Sequence, residues 1–321
     1  MKKKNIYVRD IKAGEKISDY FLTTEKIMAF SQKGVPYLSL RLQDKTGEID
    51  SKIWDNAKDW DKVFQKGDIV RIQGRALNYR NNLQLSIYEV EKTDDETVDL
   101  SDYLSSAKRD REEMFKELFT FIEGITSPHL KDLLVFLFQD EAIITRFKKA
   151  PAAKGLHHVY IGGLLEHTLS VTRLLDLASH HFSNINRDLL IAGGILHDIG
   201  KIYEFSSDRI VDYSDEGRLI GHIIISLEMV DAGIRALEDF PPQLALELRH
   251  LLLSHHGELE YGSPKRPKTV EALIVHYMDD LDAKVNAFQG FISTSRNDES
   301  DWTPFHRLFE RFIYKGRQQN E

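Results

Sequence analysis

Two hydrophobic periodicities divide the chain. Between Ile17 and about Val90, apolar and polar residues alternate in short runs broken by turn residues: VPYLSLRLQD, IDSKIWD, GDIVRIQGRAL and LQLSIYEVE. A period of two sends successive side chains to opposite faces of a strand, so this part predicts a small antiparallel sheet. In YLSLRLQ, Leu38, Leu40 and Leu42 share one face and Tyr37, Ser39 and Arg41 the other. Ile49, Ser51 and Ile53 repeat the split against Asp50, Lys52 and Trp54, and the intervening KTGE predicts a hairpin turn. Leu83, Leu85 and Ile87 alternate likewise with Gln84, Ser86 and Tyr88.

From Arg109 onward the apolar residues recur every three or four positions, which predicts helices nearly to the end. REEMFKELFTFIEGI, PHLKDLLVFLFQD and EAIITRFKKAP come first, with Pro128 opening the second and Pro151 stopping the third. Further helices are expected over Gly162 to His181, Asn186 to Ile199, Glu216 to Glu238, Pro242 to His255 and Thr269 to Gln289, with a last amphipathic one at Thr303 to Tyr314. Glu91 to Asp102 is acidic and aperiodic and reads as a linker, with Leu100, Tyr103 and Leu104 available to dock it. The expected organisation is a β domain over 1–92, a linker and helical segment over 93–150, a main helical domain over 151–300 and a C-terminal helix over 301–321.

Composition narrows the chemistry. The 321 residues contain no cysteine, so any metal must be held by His, Asp or Glu. The net charge is −8, yet residues 1–92 carry 18 Lys+Arg against 13 Asp+Glu, leaving a basic first part and an acidic remainder. Such asymmetry suggests a polyanion binder joined to a cation binder. No run approaches the ~18 apolar residues of a membrane span, and the basic start lacks an apolar signal core, so a cytoplasmic protein is the expectation.

Histidines gather in the helical part: His167 in GGLLEHTLSV, His197 beside Asp198 in ILHDIGK, His222 in LIGHIII, and His255 with His256 in LLLSHHGELE. Asp279 and Asp282 follow in ALIVHYMDDLDAK, three apart and on one helix face, with Asp279 deeper in the apolar run. Burying that many imidazoles and carboxylates unpartnered would cost roughly 2 kcal/mol or more each, so clustering around a cation is the arrangement that makes burial tolerable. Lys201 could reach a bound phosphate or be a helix-end cation facing solvent.

The order H...HD...H...HH...D and the ILHDIGK context resemble the HD superfamily of metal-dependent phosphohydrolases, an all-helical fold. The resemblance implies His167, His197, Asp198 and Asp279 as the defining ligands, and His222, His255 and His256 as ligands to a second ion, with Asp198 bridging. The chain departs from the cyclic-dinucleotide branch, because HHGELEYGSPKRPK lacks its GYP motif. The strands with DKTGEI in the second turn look like an OB-fold barrel, whose second and third strands bind oligonucleotides; that face would carry Tyr37, Arg41, Lys52 and Trp54. An OB fold followed by an HD domain is similar, over nearly the whole chain, to the YhaM family of bacterial 3′-to-5′ exoribonucleases.

The resemblance implies an enzyme that shortens single-stranded RNA from its 3′ end by attack of a metal-held hydroxide on the terminal phosphodiester, with single-stranded DNA left open by the residues themselves. Asp198, Lys201 and His222 would carry the reaction. Lys265 and Arg266 add cations for the strand, and His157 and His158 are candidate substrate contacts. His/Asp donors suit two ions of Mn²⁺ first, then Co²⁺, Fe²⁺, Ni²⁺ or Mg²⁺. Assembly into a homo-oligomer stays open, as do an HD nucleotidase or phosphodiesterase with a regulatory barrel and a non-catalytic nucleic-acid binder.

Overall fold

The computed structural model describes residues 3–80, 82–94, 97–104, 107, 109–153, 160–206, 211–295 and 300–316, which fall into two compact units meeting in sequence near residue 106. In the first, β1 (Lys16–Phe30), β2 (Pro36–Asp44), β3 (Gly47–Ile53), β4 (Ile69–Tyr79) and β5 (Asn82–Lys92) close a barrel in the order β1-β2-β3-β5-β4. β1 is long enough to pair with both β2 and β4 and so closes the barrel, and a register shift between Thr23 and Glu25 lets it bend from one partner to the other. The alternation seen in the sequence is the barrel's inside and outside: Leu38, Leu40, Leu42, Ile49, Ile53, Leu85 and Ile87 are buried together around Phe21 and Ile72. A single short helix, α1 (Ala57–Trp60), lies between β3 and β4.

The expected linker is partly barrel. Val98 and Tyr103 pack with Leu22 and Ile69, and Asp102 accepts from the Tyr7 hydroxyl at 2.7 Å and from Lys45 Nζ at 2.7 Å. The apolar residues scattered through this acidic stretch support only a 3-10 turn at Leu100–Asp102, yet Val98 and Tyr103 are buried against strand residues of the barrel.

The second unit is helical: α2 (Arg111–Glu123), α3 (Pro128–Leu137), α4 (Glu141–Phe147), α5 (Gly163–His181), α6 (Arg187–Leu196), α7 (Lys201–Glu204), α8 (Asp215–Leu219), α9 (His222–Ala236), α10 (Pro242–Ser254) and α11 (Val270–Thr294). Side-chain caps start several of them: Asp110 on α2, Asp140 on α4, Asn186 on α6 and Thr269 on α11. One core joins Met114, Leu118 and Leu134 of α2 and α3 to Leu165 and Leu175 of α5, Ile191 of α6, Leu251 of α10 and Val275 of α11. The helices expected before residue 150 share this core with the helices that follow.

Two expectations are corrected. The single helix expected over Glu216 to Glu238 is two, because Gly221 adopts φ +79°, ψ 154° and breaks it between α8 and α9. The expected helix at Thr303 to Tyr314 is instead an extended turn-back: Trp302 bridges Tyr314, His306 bridges Arg311, and Thr303 and Ile313 are buried between them. Pro304 near its start cannot continue a helical ladder, and the ring pairs Trp302–Tyr314 at 5.1 Å and Phe305–Phe312 at 5.3 Å hold its two arms.

Candidate metal centre and nucleic-acid surface

Five helices converge their ends or faces on one point. His167 comes from the first turns of α5, His197 and Asp198 from the turn that closes α6, His222 from the first position of α9, His255 and His256 from the end of α10, and Asp279 from α11. Gly200 makes the convergence possible: a Cβ there would lie 2.3 Å from the His222 carbonyl oxygen and 2.6 Å from the Ser226 nitrogen, so only glycine lets α9 start this close to the His-Asp turn.

His167, His197 and His255 are fully buried, and Asp198 is 2% exposed. Asp198 faces both halves of the cluster. Its Oδ2 lies 3.3 Å from His197 Nε2 and 3.6 Å from His167 Nε2, and its Oδ1 lies 3.4 Å from His222 Nε2 and 3.7 Å from His255 Nε2. Asp279 Oδ1 approaches His167 Nε2 at 3.1 Å. Two sets of three donors have atoms within 4.8 Å of one another, His167/His197/Asp279 and His222/His255/His256.

The rear nitrogens set the tautomers. Each Nδ1 has an acceptor behind it: Asp282 for His167 at 2.8 Å, Gly194 O for His197 at 2.8 Å, Glu204 for His222 at 2.9 Å, Leu252 O for His255 at 2.8 Å and Tyr261 O for His256 at 2.9 Å. With the proton held on Nδ1, a neutral imidazole turns its Nε2 lone pair inward. Asp198 Oδ1, His222 Nε2 and His255 Nε2 are buried without a hydrogen-bond partner among the described residues, and His167 and His197 bring two Nε2 atoms within 3.3 Å. Three buried atoms short of a partner at one point are what a divalent cation satisfies, and each triad has donors of the type that holds one.

Electrostatics agree with that geometry. Burial opposes charge on His167, but its hydrogen bonds to Asp279 and Asp282 prevail and raise its pKa to about 9, a measure of the negative potential a cation would meet. Burial likewise opposes charge on Asp198, yet Lys201 and the neighbouring imidazoles hold its carboxyl well below the usual carboxylate range. Burial lowers His222 and His255, keeping them in the neutral form that coordinates.

Several expected residues sit differently from their expectation. Lys201 is neither solvent-facing nor free: it is buried, with Nζ 2.6 Å from Asp198 Oδ2. On the barrel, the Tyr37 and Trp54 rings stack at 4.6 Å, and Lys52 Nζ donates to Ser39 Oγ at 2.7 Å while lying 5.1 Å from the Tyr37 ring centre. Arg41 on the same face is engaged by Glu25 at 3.1 Å and Asp50 at 3.3 Å. Arg266 pairs with Glu258 at 2.7 Å and Lys265 comes nine residues after His256. His157 and His158 lie outside the described residues.

Asp282, Ser170 and Glu204 join this cluster without having been assigned from the sequence. Asp282 takes hydrogen bonds from both His167 and Ser170, and Glu204 accepts from both the backbone N–H (3.1 Å) and the ring of His222. The three-residue spacing of Asp279 and Asp282 hinted at the first; nothing local marks Glu204, whose partner is 18 residues away.

The barrel and this centre define a class: an HD-type, metal-dependent hydrolase carrying an OB-fold nucleic-acid module. The HD domain family matches residues 164–284, and the OB-fold nucleic acid binding domain family matches residues 24–93. The 3′-5′ exoribonuclease YhaM of Geobacillus sp. (strain WCH70) is 36% identical over 274 residues, spanning 85% of this chain and 84% of that protein. The chain belongs to the YhaM family. Among solved structures, the second OB-fold domain of replication protein A from Methanococcus maripaludis covers 28% of this chain and 94% of its own, with 18% identity and a TM-score of 0.24. PriB from Ralstonia solanacearum covers 25% and 97%, with 13% identity and a TM-score of 0.22.

Proposed function

We infer that this chain is a metal-dependent 3′-to-5′ exoribonuclease, with single-stranded RNA as its substrate and two ions, Mn²⁺ foremost, in its centre. The observation that carries the reading is Asp198, whose two oxygens each face a separate triad of ligands. When bound, divalent ions at such a centre activate water and neutralise charge on the phosphate. His167, His197 and Asp279 would hold one ion, His222, His255 and His256 the other. The nitrogen-rich donors suit Mn²⁺, Co²⁺, Fe²⁺ or Ni²⁺ better than Mg²⁺, which prefers oxygen.

The chain's own residues supply the rest. Lys201 keeps Asp198 ionised and aimed. Asp282 and Glu204 fix one imidazole in each triad, so the ligands do not have to reorganise when an ion enters. On the barrel, the Tyr37–Trp54 stack and Lys52 offer ring faces and a cation to an unpaired strand, a combination tolerant of sequence. Lys265 and Arg266 add positive charge beside the double histidine.

The test is digestion of 5′-labelled single-stranded RNA with chelator, Mg²⁺ or Mn²⁺, beside Asp198→Ala, matched DNA and a mononucleotide. A metal-dependent ladder shortening from the 3′ end, absent in the variant, is the expected result. Intact RNA with dephosphorylated mononucleotide would make the centre a nucleotidase, and a DNA ladder as strong as the RNA ladder would remove the RNA preference.

A further inference from the structure

The two segments that present His222 and His256 carry exposed apolar side chains beside the buried ligands. After His256, Gly257 (φ +77°) turns the chain, a single 3-10 turn spans Leu259–Tyr261, and Gly262 (φ +82°) ends it. The turn is tied down. His256 Nδ1 donates to the Tyr261 carbonyl at 2.9 Å, Ser263 Oγ bonds the carbonyls of Leu253 and Lys265 at 3.1 and 2.8 Å, and Arg266 pairs with Glu258 at 2.7 Å. Yet Leu259 is 57% and Tyr261 67% exposed.

The end of α8 does the same. Leu219 is 86% and Ile220 45% exposed just before Gly221 and His222, and the His222 and His256 rings stand 5.1 Å apart. Exposed apolar residues scattered singly need no explanation. Four of them flank two histidines whose rings are neighbours, and the backbone of Tyr261 is bonded directly to one of those rings. A phenol ring held outward on a hydrogen-bonded turn adds little to stability, and it offers a rigid flat face to something arriving from solution.

We propose that Tyr261 is a stacking platform for an unpaired base of the substrate strand at the rim of the metal centre, with Leu259, Leu219 and Ile220 as further apolar surface. The proposal rests on reading the centre as a nuclease and adds a base-binding subsite to it. Cations hold a strand by its phosphates, whereas a ring holds a base without reading its edge, and every base has a π-face, so such a site serves an enzyme that must accept each nucleotide in turn. Lys265 and Arg266, four and five residues further on, stand in the same loop for the adjoining phosphates.

The test compares Tyr261→Ala, Tyr261→Phe and Tyr261→Trp in the full-length, metal-loaded chain on a single-stranded oligoribonucleotide and on a trinucleotide, with bound metal measured in parallel. Losing one base stack should raise KM about 5- to 150-fold in Tyr261→Ala, with kcat changed far less, while Phe and Trp keep KM near wild type. Bound metal should not change, because His256 leans on the backbone carbonyl of residue 261 and not on its ring. An unchanged KM in Tyr261→Ala overturns the proposal, as does a Phe variant as impaired as Ala with metal lost from both. If the wild-type chain cleaves nothing, the nuclease reading fails, and anisotropy of a labelled oligonucleotide decides the platform: equal affinity for wild type and Tyr261→Ala overturns it, weaker binding to the variant supports it.

Discussion

Gly200→Ala is the most telling single-atom perturbation of this centre. The added Cβ would sit 2.3 Å from the His222 carbonyl oxygen and 2.6 Å from the Ser226 nitrogen, where ordinary contact begins at 3.4 Å. Both obstacles are backbone, so the first turn of α9 must withdraw by about 1 Å; comparable overpacking costs roughly 1–3 kcal/mol of stability. His222 rides on that turn, and coordination distances tolerate only about 0.2 Å. The withdrawal would also stretch the 2.8 Å bond from the Gly200 N–H to Ser226 Oγ and the Glu204 contacts of His222. Metal analysis after exhaustive dialysis should find about one ion lost, from the His222/His255/His256 triad, and one retained at His167/His197/Asp279. Far-UV circular dichroism should show native helix content with a lowered thermal midpoint. Two ions retained at wild-type affinity would refute the claim that the glycine sets the position of His222.

Three further outcomes follow from the same geometry. Asp282→Asn removes the carboxylate behind His167 and should weaken metal binding about 10- to 100-fold, read by competition with a chelating dye; unchanged affinity would make Asp282 a bystander. Trp54→Ala breaks the stack with Tyr37 and should weaken single-stranded RNA binding by about 1–3 kcal/mol in anisotropy titrations without altering bound metal; a loss under about twofold would remove the ring pair from the binding face. Tyr103→Phe deletes a buried hydroxyl with no partner among the described residues and should raise barrel stability by about 1 kcal/mol in denaturant titrations; a destabilised variant would mean that the hydroxyl is bonded.

Much of the fold was legible because burial imposes its own period on the sequence. Leu38, Leu40, Leu42, Ile49 and Ile53 alternate in the sequence and line the barrel for that reason. Helix breaks were less legible. Gly221 sits inside a run whose apolar spacing continues across it, and the break shows only in the backbone, where it places His222 at a helix start. The segment 303–314 satisfies a helical pattern and a paired, extended one; Pro304 and the pairing of Trp302 with Tyr314 decide between them, and the second is a contact across 12 residues.

The centre divides in the same way. Which residue types could hold a cation, and in what order, was written in the chain: a cysteine-free sequence with His167, His197, Asp198, His222, His255, His256 and Asp279 on apolar helices leaves few other ways to bury them. What those residues lean on was not. Lys201 turns inward onto Asp198, Glu204 reaches His222 from 18 residues away, and Asp282 reaches His167 from 115. Composition and local period follow from each residue's own solvation, which a sequence states directly; the direction of a side chain depends on which distant helix packs beside it, and that is decided only when the chain closes on itself.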